Sequence, residues 1–129
     1  MNKLDDFTLA YIEAALWSTN DESDESGGEP LDKNYSVSDI SEETLSEMVA
    51  DCAKFQADNA ELLTDEFCLT GLPADEQGGH DFWLTRCGHG VGFWETFDWE
   101  ESAGKKLTAS AKGFGNVDLY LGDDGQIYS

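Results

Sequence analysis

Basic residues are scarce in this sequence, and so are cysteines. The 7 Lys and Arg stand against 28 Asp and Glu in 129 residues, which gives a formal net charge of −21. Because proteins that bind nucleic-acid phosphates need basic patches, this scarcity excludes direct nucleic-acid binding as the main activity. The three cysteines (Cys52, Cys68 and Cys87) are odd in number and widely spaced. They therefore predict reduced thiols rather than a disulfide framework.

Long apolar segments are also absent. No run approaches the roughly 20 residues of a membrane-spanning helix, and residues 1–6 have neither the basic nor the apolar region of a secretory signal. We therefore expect a soluble, cytoplasmic protein with no membrane partner. Aromatic residues, in contrast, make up 12% of the chain and hydrophobic residues 40%. That content is enough to build a single folded domain over residues 1–129.

The acidic residues are concentrated toward the N-terminus. Residues 1–76 contain 20 acidic and 3 basic side chains, whereas residues 77–129 contain 8 acidic and 4 basic ones. We predict a flexible acidic loop at residues 19–37, because highly charged segments rich in Ser and Gly rarely bury a core of their own. The acidic candidates for partner binding in this loop are Asp21, Glu22, Asp24 and Glu25.

The clearest periodic pattern predicts a helix over residues 42–64, which follows a shorter helix over residues 6–17. Apolar side chains such as Met48 and Phe55 share one face of the longer helix. The candidate binding residues on its opposite face are Glu43, Glu47, Asp51, Asp58 and Glu61. Such a helix would be about 35 Å long, close to the roughly 34–36 Å of one turn of duplex DNA. The pattern therefore predicts a rigid acidic stripe.

The second half of the chain predicts two hairpins and a weaker helix. Residues 65–79 are expected to form a loop, residues 80–86 and 91–94 a first hairpin, and residues 101–112 a helix. Residues 117–128 predict a second hairpin that turns at Asp124 and Gly125. The order of elements is then ααββαββ. It predicts an α+β fold in which a four-stranded antiparallel sheet, formed by the two hairpins, packs with three helices.

Few residues form a pattern typical of catalysis. His80, Cys87 and His89 offer metal-ligating atoms, but a Cys-x-His fragment lacks the usual spacing of paired zinc ligands. A reactive thiol needs an electropositive surrounding, which a chain of this charge does not favour. We therefore expect no metal, no cofactor and no catalytic residues, and we predict that the protein is not an enzyme.

Two tryptophans suggest a different kind of surface. Trp83 and Trp94 face each other across the predicted first hairpin, where they could form an exposed aromatic patch. The alternative is that a helix or the loop at residues 65–79 covers them. An exposed patch would favour a small accessory interaction protein that binds through this hairpin, with its acidity serving only solubility.

Three segments of the chain resemble small acidic proteins carried by bacteriophages and prophages. Residues 79–94 read GHDFWLTRCGHGVGFW, residues 7–17 read FTLAYIEAALW and residues 117–128 read VDLYLGDDGQIY. Cys87 departs from the polar residue expected at its position in that group. The resemblance implies no catalytic residues. It implies a context, since small acidic phage proteins are often inhibitors of host defence or of host DNA-handling machinery.

The acidic stripe and the phage context together predict a function. Like-charged pairs at i,i+4 spacing, such as Glu43 with Glu47, weaken a helix by a few tenths of a kcal/mol, so their presence suggests a use. A basic groove made for DNA would attract them as it attracts phosphates. We therefore expect a phage-encoded DNA mimic of the anti-CRISPR or anti-restriction type, whose partner is a basic nucleic-acid-binding host protein or complex. Solubility, or adaptation to a high-salt host, is the competing explanation of the charge.

Overall fold

Helices dominate the part of the chain that the structure describes. The computed structural model describes residues 4–21, 29–33, 35–87, 92–93, 99–117 and 119–129. The helices within these ranges are α1 (Asp6–Ser18), α2 (Glu42–Asp58), α3 (Ala74–Arg86) and α4 (Glu101–Lys112). The strands form two antiparallel pairs, β1 (Asn20–Asp21) with β2 (Glu29–Pro30) and β3 (Tyr120–Leu121) with β4 (Ile127–Tyr128).

The predicted four-stranded sheet with three helices, in the order ααββαββ, is wrong. Residues 80–86, which were expected to form a strand, are the second half of α3. Of the partner strand predicted at residues 91–94, residues 91 and 94 lie outside the described residues, and residues 92 and 93 belong to no strand. The C-terminal hairpin is confirmed: Tyr120 pairs with Tyr128, and Gly125 takes a φ of 79° in the turn. The fold is therefore helix-rich, with strands only as short pairs.

The sequence of α3 hides its helical character because the helix is buried on nearly every side. Its buried positions include Gln77, Gly78 and Gly79 and every residue from 81 to 86. A helix that is enclosed all round shows no apolar stripe with a 3.6-residue period. Without that period, its aromatic and β-branched residues favour a strand and its glycines favour a loop.

Helices α1 and α3 pack closely at Gly79. A Cβ atom on Gly79 would overlap the backbone carbonyl of Phe7, so only glycine permits this approach. Aromatic rings fill the adjacent core, where Phe55 stacks on Phe82 with centroids 4.2 Å apart and Tyr11 meets Trp83 edge-on at 5.4 Å. This packing fixes α1, α2 and α3 around one hydrophobic core.

Helix α2 begins where the sequence predicts but ends earlier. Ser41 caps it by accepting a hydrogen bond from the backbone N–H of Thr44 at 3.2 Å. The helix stops at Asp58 instead of residue 64, because the buried Asn59 side chain donates to the carbonyl of Phe55 and to Ser110, both at 2.9 Å. With 17 residues, α2 is about 25 Å long, which is shorter than one turn of DNA.

Helices α1 and α4 agree with their predicted bounds to within a residue. Helix α1 is capped by Asp5, whose carboxylate accepts the backbone N–H of Thr8 at 2.8 Å. The loop predicted at residues 65–79 is wrong at its end, because residues 74–79 are the first half of α3. The described part of residues 19–37 contains β1, β2 and a 3₁₀ turn (Leu31–Lys33), and a second 3₁₀ turn (Val37–Asp39) begins at its last residue. Residues 22–28 and 34 lie outside the described residues. Among the described helices, none is long and apolar enough to cross a membrane.

Candidate functional site

The predicted acidic stripe occupies one flank of α2. Met48, Cys52 and Phe55 anchor the opposite side of the helix in the core. Four of the predicted binding residues lie within this helix and share the flank: Glu43, Glu47, Asp51 and Asp58. The carboxylates of residues four apart are separated by about 6 Å along the axis. The helix therefore holds the charges in a fixed row rather than on a loop.

Asp51 is tied to a buried arginine on α3. Its Oδ2 accepts a hydrogen bond from Arg86 Nη1 at 2.8 Å, and the side chains are 37% and 3% exposed, respectively. Arg86 also donates to Tyr11 Oη and to the backbone carbonyls of Phe114 and Gly115. Since the guanidinium has a partner on each of its donating sides, Asp51 has a structural role in completing this set.

Electrostatics and ring packing hold Arg86 in place. Its guanidinium carbon lies 5.5 Å from the ring centroids of both Phe82 and Phe114, in cation–π geometry. Burial acts to lower the pKa of Arg86, but Tyr11 and Asp51 outweigh it, so the pKa is raised. For Tyr11 the effect of burial is the opposite: burial raises its pKa, and this outweighs the lowering effect of the Arg86 charge. The arginine is therefore charged and Tyr11 is neutral at all ordinary pH values.

The other stripe residues differ in how far they are compensated. Asp58 pairs with Lys54 one turn away, at 2.9 Å. Glu47 accepts a hydrogen bond from Ser129 Oγ at 3.3 Å, and its side chain stays exposed. Glu43 and Glu61 are exposed. Within the described residues their carboxylates form no ion pair and accept no hydrogen bond. Glu61 lies in the turn that follows α2, beyond the residues that helical spacing places in the row.

The loop candidates are only partly covered by the structure. Asp21 lies in β1 and pairs in register with Glu29 of β2. Glu22, Asp24 and Glu25 lie outside the described residues. The pairing of β1 with β2 places Asp21 and Glu29 side by side.

The aromatic and metal candidates are not assembled as the sequence suggested. Trp83 is 2% exposed, and its indole N–H donates to Ser18 Oγ at 2.7 Å, so it cannot form an exposed patch. Trp94 and His89 lie outside the described residues. His80 and Cys87 belong to α3 and its C-terminal cap. Within the described residues, no group of three or more His, Cys, Asp or Glu side chains could hold a metal ion.

A buried carboxylate lies next to His80. Asp81 is 2% exposed, and its Oδ2 accepts hydrogen bonds from Trp99 Nε1 at 2.8 Å and from Gln77 Nε2 at 2.9 Å. Its Oδ1 lies 3.4 Å from His80 Nδ1. These contacts satisfy the carboxylate and orient the His80 ring, which stays partly exposed and packs against Trp17 with centroids 6.1 Å apart.

A groove that the sequence analysis missed runs between α1 and α3. It consists of two adjoining cavities of about 590 and 380 Å³, which share Leu9, Glu13 and His80. Tyr35–Val37 line the first cavity beside Trp17, and Leu72 lines the second. We call this feature the α1–α3 groove.

The one sequence signal for the α1–α3 groove is a spacing on α1. Leu9, Glu13 and Trp17 are each four residues apart, which places them in one row on a helix surface. Apolar residues surround most of α1, and Trp17 is one of them, yet the structure leaves it 55% exposed. Because α1 is apolar on most of its sides, the hydrophobic pattern alone could not show which side is left without a packing partner.

Comparisons with protein-family models, curated proteins and solved structures found no match to this chain. The geometry of the acidic row and of the α1–α3 groove is therefore the basis for proposing a function.

Proposed function

We propose that the protein is a phage-encoded acidic inhibitor that acts as a DNA mimic in the cytoplasm of a bacterial host cell. It would occupy the nucleic-acid-binding channel of a host defence or DNA-handling complex, of the anti-CRISPR or anti-restriction type. It would act by binding alone. It would have no enzymatic activity, need no cofactor and make no direct contact with nucleic acid. The observation that carries this proposal is the set of exposed carboxylates without an ion pair within the described residues: Glu43 and Glu47 on α2, and Glu61 in the turn that follows it.

The support is geometric as well as electrostatic. The α2 carboxylates project from a helix that is anchored by Met48 and Phe55, so little backbone entropy is lost when a partner binds them. When a cationic channel releases DNA and binds this row, its basic side chains are attracted to the carboxylates much as they were to the phosphates. Because α2 is about 25 Å long, it would match less than one turn of duplex, and the acidic segment at Asp21, Glu22, Asp24 and Glu25 would supply further charge.

The pairing of Asp51 with Arg86 determines how the proposal is tested. Replacing Asp51 would leave a buried guanidinium without its carboxylate, so a loss of binding could come from a damaged fold. Asp58 is already paired with Lys54. The informative variant is therefore the triple change Glu43→Gln, Glu47→Gln and Glu61→Gln, in which each side chain keeps its size and loses its charge.

The experiment begins by capturing partners from a bacterial lysate on the immobilised protein. Capture is repeated with an excess of duplex oligonucleotide as competitor. The ability of the protein to displace labelled duplex from each captured partner is then measured by fluorescence anisotropy at several salt concentrations. The matched control is Asp75→Asn, Glu101→Gln and Asp123→Asn, which removes the same charge from exposed positions in other elements.

We expect duplex DNA to compete with the protein, and the triple variant to displace it about tenfold less well with a shallower salt dependence. The control variant should behave almost as the unmodified protein does. Equal losses in both variants would show that total charge, and not the row on α2, produces binding. Failure of duplex to compete would reject mimicry altogether.

A further inference from the structure

Exposed apolar side chains are clustered in the α1–α3 groove. Trp17 is 55% exposed, Leu72 is 51% exposed and Leu9 is 37% exposed, and all three line the two cavities. Isolated surface leucines need no explanation, but a concave cluster that contains tryptophan is typical of interaction sites.

The charges around the groove are all of one sign. Asp6, Glu13 and Glu76 line it together with the apolar residues. None of the three carboxylates takes part in an ion pair within the described residues. Among the described lining residues there is no Lys or Arg. An occupant that complements this surface must therefore combine apolar side chains with positive charge.

The shape of the groove favours an elongated occupant. From Asp6 to Trp17 the axis of α1 rises about 17 Å, which equals roughly three turns of a helix. Leu9, Glu13 and Trp17 form a row on α1 that lines both cavities, with His80 of α3 shared between them, so the lining follows the length of this row. Grooves of this kind accept the apolar face of an amphipathic helix.

We propose that the α1–α3 groove binds an amphipathic, lysine- or arginine-rich helix of a protein partner. Its apolar face would pack on Leu9, Trp17 and Leu72, and its cationic side chains would reach Glu13 and Glu76. A second copy of this chain is a poor occupant because the net charge of −21 repels it. The inference goes beyond the proposed function, since it needs no nucleic-acid channel and uses a surface separate from the row on α2.

A synthetic peptide tests this directly with the full-length protein. The probe is a fluorescently labelled peptide of about 14 residues, in which Leu occupies positions i, i+3, i+4 and i+7 of a helix and Lys the remainder. Its scrambled counterpart has the same composition and charge but no apolar face. Binding is measured by fluorescence anisotropy, and the gain of helix by circular dichroism.

Two leucines of almost equal exposure supply a matched pair of variants. Leu72 lines the groove, whereas Leu69 is 53% exposed and does not line it. We expect Leu72→Ala and Trp17→Ala each to weaken binding of the amphipathic peptide about fivefold or more, and Leu69→Ala to leave it unchanged. The scrambled peptide should bind more weakly, and with a steeper salt dependence, because it retains only the electrostatic contribution.

Several results would overturn the inference. Equal binding of the scrambled peptide would mean that charge alone attracts it, and equal effects of Leu72→Ala and Leu69→Ala would place the peptide elsewhere. Self-association of the unmodified protein that Trp17→Ala abolishes would make the groove a dimer surface. The triple variant on α2 should still bind the peptide; a large loss there would move the contact to the acidic row. If duplex DNA fails to compete with the protein for its captured partners, that result rejects the proposed function and leaves the inference about the α1–α3 groove standing.

Discussion

Among the described residues, Arg86 is the one basic side chain that is buried. Removing a guanidinium from water is costly unless every donor finds a partner. Here Asp51, Tyr11 and the carbonyls of Phe114 and Gly115 supply those partners. The arginine thereby connects α1, α2 and α3 with the segment after α4, and its role is to fix the positions of these elements.

Replacing Arg86 by methionine should destabilise the protein by about 3 kcal/mol, because two backbone carbonyls and the Tyr11 hydroxyl would stay buried without their donor. The measurement is the free energy of unfolding in urea, followed by circular dichroism. Lys106→Met is the control, since Lys106 is exposed and its loss should cost less than about 0.5 kcal/mol. Similar stabilities for the two variants would show that Arg86 is dispensable.

The contact between Asp51 and Arg86 also marks the limit of sequence-based site prediction. Helical spacing correctly places Asp51 in the row with Glu43 and Glu47. The pattern of a single helix carries no information about a partner 35 residues away. The acidic row could therefore be predicted from the sequence. The ion pair with Arg86, which gives Asp51 a structural role that Glu43 and Glu47 do not have, could not.

At the scale of elements, α1, α2 and α4 were predicted as helices, whereas α3 was predicted as a loop and a strand. Helix α2 shows its apolar face in the sequence, and α4 shows a smaller one. Helix α3 is surrounded by protein, so its apolar and polar residues follow no helical period. The α1–α3 groove escaped prediction for the same reason, because its position depends on how α3 packs against α1.

The close approach of α1 and α3 predicts a strong asymmetry between two adjacent glycines. Gly79→Ala should destabilise the protein by about 2 kcal/mol or more, since its methyl group would meet the backbone of Phe7 and force the helices apart. At Gly78 a Cβ meets side-chain atoms of Phe7 and Leu63 at 3.0 and 3.1 Å and no backbone atom, so these side chains need to shift by only a few tenths of an ångström. Gly78→Ala also gains up to about 1 kcal/mol of helix propensity.

Urea unfolding of the two alanine variants, measured side by side, tests this account of the packing. Gly78→Ala serves as the control, because both variants gain the same propensity and differ in what the new methyl group touches. The expected order of stability is Gly78→Ala above Gly79→Ala by about 2 kcal/mol. Equal stabilities would mean that α1 and α3 are not in the close contact described here.

At the scale of the whole molecule, charge opposes folding while the core supports it. The net charge of −21 produces self-repulsion that the unfolded chain relieves by expanding. The 28 Asp and Glu outnumber the 7 Lys and Arg fourfold, and the ion pairs of Lys and Arg within the described residues include those of Asp51, Asp58 and Glu101. Most of the acidic surface therefore relies on dissolved counterions for its compensation, and those same counterions must be released when a cationic partner binds.

The thermal stability of the protein should consequently rise with salt. Between about 0.01 and 0.1 M NaCl the Debye length falls from about 30 to about 10 Å, so repulsion between distant carboxylates is screened and Tm should increase by several degrees. The variant Glu43→Gln, Glu47→Gln, Glu61→Gln should have a higher Tm at low salt and a smaller increase, because less repulsion is left to screen. Differential scanning calorimetry in NaCl and in KCl separates screening from effects of a particular cation. A Tm that falls with salt would indicate that ion pairs outweigh repulsion, and the acidic row could then no longer be treated as uncompensated.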